Sequence, residues 1–264
     1  RHSDDNDSSG KDSMRAQRIQ WLFPILFITL SACSTGQEFD RAGMQDTLHQ
    51  RMNLGGAREI KTTETKNAIE NRSPFAEPFR LGVYFVRTEF PTHQSVQSGE
   101  WLSAEKDQLV QRLAQLRSDQ ILREVVVLAE PTVRTLTRQD LRQASVRYGI
   151  DVLLLVDGVG AVDRHNNAYA LLYPTLLGAW LAPGTVLDAL FIINGMLWDL
   201  RTDKLLDRQT AEGQAQRTGA VVLVEDADVL REAKHRAIEA FGTGLVQHLR
   251  SLTQTRSDAP AALR

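Results

Sequence analysis

Asp151-Val152-Leu153-Leu154-Leu155-Val156-Asp157-Gly158-Val159 decides the fold. Its five central residues are apolar without a break, so a strand built from them offers neither face to water. Two similar runs precede it, Leu81-Gly82-Val83-Tyr84-Phe85-Val86 and Val125-Val126-Val127-Leu128. Helical spacings lie between the runs. Ser103 stands where it can cap a helix striped by Leu109, Val110, Leu113 and Leu116. Thr137 and Asp140 resemble a capping box ahead of Leu141, Ala144, Ser145 and Tyr148, and Gly149 supplies the stop. Strand–helix–strand–helix–strand with fully apolar runs implies two right-handed crossovers and parallel strands inside a covered sheet.

Beyond this unit the pattern changes. Leu187 to Leu200 is largely apolar, while Lys204 to Gln216 is polar and alternates imperfectly, with the turn Arg201-Thr202-Asp203 between them. That predicts a β-hairpin whose second strand lies at a sheet edge. Asp226 to Leu252 then places Leu230, Ala233, Ala237, Phe241, Leu245 and Leu249 on one helical face, with Gly242 and Gly244 weakening the middle. The expected architecture is α/β: a single domain over residues 79–253. It holds a mixed sheet of about five strands (βαβαβ, then the hairpin), helices packed on it and a C-terminal helix. A frayed tail, 254–264, follows.

Upstream, residues 33–78 are polar, with Gly55-Gly56, the run Lys61 to Lys66, and Pro74 and Pro78. They read as a tether, with a short helix around Arg41 to Met52 in which Met44, Leu48 and Met52 share a face. Before the tether, Arg15 and Arg18 follow Met14, Trp21 to Leu30 is largely apolar, and Ser31-Ala32 precedes the sole cysteine, Cys33. Residues 14–32 are thus the basic, apolar and small-residue regions of a secretory signal. A cysteine directly after the small pair resembles the lipoprotein signal, in which the chain is cut between Ala32 and Cys33 and the thiol is diacylated. The apolar region falls short of the ~20 residues a spanning helix needs. Attachment to a lipid bilayer would therefore rest on acylated Cys33, at about 0.8 kcal/mol per buried methylene. Ser34, not aspartate, follows the cysteine, which by the same resemblance implies the outer membrane, with the domain on its periplasmic face. Residues 1–13 read as a mis-set start or a cloning scar outside the fold.

With 31 Lys+Arg against 33 Asp+Glu, the net charge is −2. No concentrated basic face is indicated, and no nucleic-acid partner is expected. Once Cys33 carries lipid no disulfide can form, so stability must come from the core.

The motifs that carry chemistry are thin. Gly158-Val159-Gly160-Ala161-Val162-Asp163 follows a strand but has Asp163 where a phosphate cradle needs its third glycine, so it reads as a strand leaving the sheet and no cofactor is expected. Asp157, Asp163 and His165 have no metal-ligand spacing and read, with Arg164 to Asn167, as a solvated strand end and loop, and no metal is expected. The six histidines are scattered and no Gly-x-Ser-x-Gly elbow occurs, so no catalytic residue is assigned. Glu225, Asp226 and Asp228 suit the positive end of a helix dipole. Trp180 and Trp198 read as packing or interface residues.

One segment does not fit a minimal fold. Ala168 to Ala182, AYALLYPTLLGAWLA, is fifteen residues without a charge where a short connection would serve. As one helix it would be about 22 Å long, short of a ~30 Å hydrocarbon core, and Pro174 and Gly178 would break it into a knob. It either covers the sheet or meets a membrane or another subunit, with Leu177, Trp180 and Leu181 as the contact residues.

Tyr173-Pro174-Thr175 through Trp180, Ala182-Pro183-Gly184-Thr185 and Trp198-Asp199-Leu200-Arg201-Thr202 together resemble the rhombotarget (rhombotail) lipoprotein family. More distantly, the order of elements behind a lipid-attachment signal is similar to the curli-secretion-channel lipoproteins and the TolB amino-terminal domain. The likeness runs from about Arg80 to Leu252. The chain departs from that family at its end, Ala259 to Arg264, which lacks the Gly-Gly, apolar helix and basic tail. The combined expectation is a lipid-anchored periplasmic protein that acts by protein contact, as an assembly or maintenance factor, with a protein partner or a homo-oligomer. The alternatives are a subunit of an outer-membrane secretion or transport assembly and an envelope hydrolase with a loop-built site.

Overall fold

The computed structural model of the chain describes residues 39–53, 78–87, 97–98, 100–129, 133 and 136–257. Helix α1 is Arg41–Arg51, strand β1 Phe79–Phe85, β2 Gln97–Ser98 and α2 Ser103–Ala114, with a 3-10 turn at Gln115–Arg117. Then come β3 Leu122–Val127, α3 Arg138–Arg147 and β4 Val152–Asn166. A 3-10 turn at Ala168–Leu172, the short α4 Leu176–Leu181, β5 Thr185–Asp199, β6 Lys204–Gly219 and α5 Asp226–Ser257 complete it.

The sheet runs β3-β1-β4-β5-β6, with β2 beside β4. β1 pairs in parallel with both β3 and β4, and the β4–β5 and β5–β6 pairs are antiparallel. The fold is the expected mixed α/β sheet with a C-terminal helix, and β6 is its edge. The central run of β4 is why: Leu153 and Leu155 point to one face, Val152, Leu154 and Val156 to the other, and all five are buried.

Each face has its own cover. On one, β1, β4 and β5 meet Leu109, Leu113 and Leu116 after the first crossover, and Val229, Ala233, Ala237, Phe241, Leu245 and Leu249 of α5. Lys234 of α5 is drawn into this layer, 2.6 Å from Glu105 and 4.7 Å above the Trp101 ring. On the other face, Leu153, Leu155, Met196 and Trp198 pack under Leu141 and Ala144 of α3. Further along that face, Val159, Ala161, Leu190 and Ile192 pack under Met44 and Leu48 of α1.

Local signals hold with small changes. The Thr137 hydroxyl accepts from the Asp140 N–H at 3.2 Å, closing the start of α3. Ser103 is not the cap of α2 but its first residue. Leu102 takes the cap position, and its N–H donates to Glu105 Oε2 at 2.8 Å. α1, within the stretch expected to be a tether, packs on the sheet, because without it the far half of one face would leave four apolar side chains bare. Residues 54–77 of that stretch lie outside the described residues.

β4 continues past Val159 to Asn166, where a loop was expected from Arg164 onward. The cause is a full antiparallel register with β5, from Val152↔Asp199 to Asn166↔Thr185. Gly158 and Gly160 therefore sit in mid-strand. A Cβ on Gly158 would lie 2.6 Å from Phe191 Cε1, and one on Gly160 2.5 Å from Leu230 Cδ1, so these glycines admit neighbouring side chains and cradle no phosphate. β1 stops opposite Val156, so the sheet is five strands wide at one end and narrows toward a β4–β5–β6 arm at the other.

Candidate functional site

The arm ends in the charge-free segment. The chain leaves β4 at Asn166 and re-enters the sheet at Thr185, which is paired directly with it. The Asn167 side chain starts the 3-10 turn by accepting from Tyr169 N–H at 3.0 Å and reaches Pro183 O with its amide at 2.9 Å. The Tyr173 and Thr185 hydroxyls, 2.8 Å apart, tie the segment to the base of β5. Pro174 separates the two turns of helix, and Thr175 caps α4 by accepting from Gly178 N–H at 2.9 Å. The result is a pinned knob of two short helical pieces divided at Pro174, as expected, whereas Gly178, also expected to break the helix, lies inside α4.

Its outer surface is apolar and bare. Leu177 is 72% exposed, Leu181 74% and Trp180 55%, and Tyr169, Leu171 and Leu172 are also exposed, while Gly178 and Ala182 are buried at the base. A second bare apolar turn lies at the same end of the sheet. β6 ends at Gly219, paired with Thr185, and runs into Ala220-Val221-Val222-Leu223-Val224. Leu223 is 67% exposed and Val222 is exposed beside it, while Val224 tucks under Gly219. Sequence reasoning singled out Leu177, Trp180 and Leu181 but missed Val222 and Leu223. The signal was present as five consecutive residues without charge between a polar strand and an acidic helix start. Trp198, grouped earlier with Trp180, is buried under α3 with the Arg138 guanidinium stacked 4.9 Å from its ring.

The charges behind this end are paired. Arg164 meets Asp226 at 2.8 Å, and Arg217 meets Asp228 at 3.5 Å and Glu232 at 3.4 Å. The knob and the 220–224 turn themselves carry no charged side chain, but the rim behind them is acidic, with Asp163 and Asp188 paired across β4 and β5 and Glu225 exposed after Val224.

Asp157 corrects the expectation of a solvated strand end. It is fully buried in mid-β4, on the face covered by α1, beside the buried Asn194 of β5. Arg51, the last residue of α1, approaches with Nε 3.1 Å from Asp157 Oδ2 and donates from Nη2 to Gly158 O at 3.3 Å. Burial pushes the Asp157 carboxyl up to about 6, with Arg51 and the Gly158 N–H pulling the other way. Burial likewise lowers Arg51 from its usual value, opposed by Asp157. The pair pins α1 to the sheet, with Asp157 buried and Arg51 partly exposed above it.

Asp163 and His165 lie on the arm, partly exposed, with His165 Nδ1 3.5 Å from Asp163 and 3.6 Å from Asp188. Asp157 is not brought to them. Among the described residues no three His, Cys, Asp or Glu side chains are arranged to hold a metal ion. No helix among them is long and apolar enough to cross a membrane. Ala32 and Cys33 lie outside the described residues, as do most of the loops after β1 and β3.

No family model matches the chain, and no curated protein matches it. Among solved structures it is similar to a neuraminyllactose-binding hemagglutinin homologue from Helicobacter pylori, at TM-score 0.37 and 10% identity over 69% of this chain and 90% of that one. It is also similar to a Xanthomonas campestris protein of the DUF330 family, at TM-score 0.33 and 14% identity over 69% and 89%. A third is lipoprotein GNA1162 of Neisseria meningitidis, at TM-score 0.27 and 10% identity over 66% and 99%. At these identities and scores the likeness assigns no function.

Proposed function

We propose that this chain is a lipid-anchored protein of the bacterial envelope that acts by contact, as an assembly or maintenance factor, and not by catalysis. The observation that carries the reading is the bare apolar end of the arm. A domain whose sheet is covered on both faces leaves Leu177, Trp180, Leu181 and Leu223 uncovered together, and a patch of that kind marks a contact surface. The signal over residues 14–32 and the cysteine behind it support the anchor, and Ser34 in place of an aspartate after that cysteine supports the address, the periplasmic face of the outer membrane. The most perturbed carboxylate, Asp157, is spent on holding α1, which favours contact over a hydrolytic site.

The test is of the anchor and its address. In cells fed a palmitate analogue, the parent chain should be tagged, shortened at Cys33 and recovered with outer membranes. Cys33→Ser should remain untagged and unprocessed. A tag that persists on Cys33→Ser, or a parent chain found free of membranes, overturns the reading.

A further inference from the structure

We infer that the apolar end of the arm dips into the same bilayer that holds the acyl chains of Cys33, so that the domain is attached at two points and stands in a fixed orientation. This rests on the lipid-anchor reading above. The first support is the surface itself. The knob and the 220–224 turn issue from neighbouring strands, at Asn166/Thr185 and Gly219, and present Leu171, Leu177, Trp180, Leu181, Val222 and Leu223 on one end of the sheet. Leucines with a tyrosine and a tryptophan are the composition of an element that sits at the water–lipid boundary. α4, with six residues, is only about 9 Å long at 1.5 Å per residue, matching an insertion of some 5–10 Å and far short of a span.

The second support is reach. The start of α1 is fixed to the arm through Arg41, whose Nε is 3.3 Å from Glu212 of β6. From Glu212 to the end of β6 at Gly219 is seven residues, about 24 Å at ~3.4 Å per residue. From Asp40 back to Cys33 is also seven residues, which extended span at most ~23–25 Å. Fully extended, the tether can therefore reach the level of the strand ends from which the knob projects, and not pass beyond them. An anchor of that length holds the domain close to the membrane, and the end of the arm is the surface it can bring down.

The third support is what the surface lacks. Residues 168–182 and 220–224 hold no charged side chain, and Arg164 and Arg217 behind them are engaged by Asp226, Asp228 and Glu232, so the contact surface itself is apolar and salt should change its insertion little. A convex knob without charge needs no shaped groove in lipid, whereas a protein partner would have to supply one.

Because acylation uses the only cysteine, Leu177→Cys creates a unique free thiol in the mature lipoprotein. The full lipidated chain carrying a fluorophore there is reconstituted into phosphatidylethanolamine/phosphatidylglycerol vesicles containing doxyl-labelled lipid. The comparison label is Val146→Cys, 68% exposed on α3 beside the start of β4, at the opposite end of the sheet. Quenching at position 177 should exceed that at 146 several-fold and persist when salt is raised. Vesicle-bound protein with equal quenching at the two positions overturns the inference and leaves the anchor reading standing. A label at 177 that is shielded without lipid quenching, increasingly so at higher protein-to-lipid ratio, assigns the knob to a second copy and overturns it too. Protein that fails to float with the vesicles overturns both.

Discussion

β4 begins and ends among residues of the same kind, and the two ends meet opposite fates. At Val152 to Val156 it lies between β1 and β5 with helices on both sides, and every side chain is buried. Where it ends, Ala168 to Ala182 is just as free of charge, yet its leucines and Trp180 stand in water. The difference is not composition. At the first end α2, α3 and α5 arrive to close the faces. At the second, α1 covers one face of the arm and the first turns of α5 the other, and no described element reaches beyond the strand ends. An apolar run is core where another element covers it, and contact surface where none does.

The sharpest way to break this contrast is to truncate a leucine at the covered end. Leu153 is fully buried between β1 and β5 under α3, so Leu153→Ala should cost about 2–5 kcal/mol in a urea melt. A loss below about 1 kcal/mol would place the core elsewhere. Leu48→Ala asks whether α1 belongs to the same cooperative unit. Leu48 is as buried as Leu153, but a peripheral helix can settle into the space, so the cost should fall near 2 kcal/mol. An unchanged melt would mean that α1 unfolds separately and that the arm is bare on that face as well.

How far the sequence showed this contrast follows from range. The covered end was legible because an unbroken apolar strand carries its own evidence, as did the Thr137 cap and the α5 stripe. The far half of β4 was misread because Asp163, Arg164 and His165 alternate on a half-solvated arm, where charges are compatible with a ladder. Burial of Asp157 was illegible for a different reason. Its partner, Arg51, lies far back in the chain, and although the stripe of Met44, Leu48 and Met52 was readable, nothing in it told which strand that helix would pack against. The knob was legible as an anomaly, but the turn at 220–224 that extends it was too short to register.

Asp157 offers the next test, intermediate in size. In the unfolded chain its carboxyl titrates near 3.8, while burial holds it near 6 in the folded protein. Between about pH 4 and 6 the folded state therefore keeps a proton that the unfolded state has released, and this group's contribution falls as pH rises, levelling above 6. The change across that window is at most about 3 kcal/mol. Asp157→Asn keeps the volume and removes the titration. Urea melts of parent and variant at pH 4.5 and pH 7 should show the parent losing more stability than the variant on going to pH 7. Equal pH responses would show that Asp157 is ionised throughout and that Arg51 dominates burial.

The smallest expected effect on stability lies at the bare end, and its smallness is the point. Leu177 and Leu181 are largely exposed at the tip of the knob, where truncation opens no cavity and strands no polar group. Leu177→Ser with Leu181→Ser should therefore shift the urea midpoint by no more than about 0.5 kcal/mol, against the several expected at Leu153. The same pair of changes removes the two most exposed leucines of the apolar tip. A label on the rebuilt Leu223→Cys turn should then lose its doxyl-lipid quenching, although the acyl chains still hold the protein on the vesicle. If the double variant instead melts like Leu153→Ala, the knob is core and the contrast between the two ends of β4 disappears. If it melts like the parent and the turn stays fully quenched, the knob is bare but the membrane contact does not depend on Leu177 and Leu181.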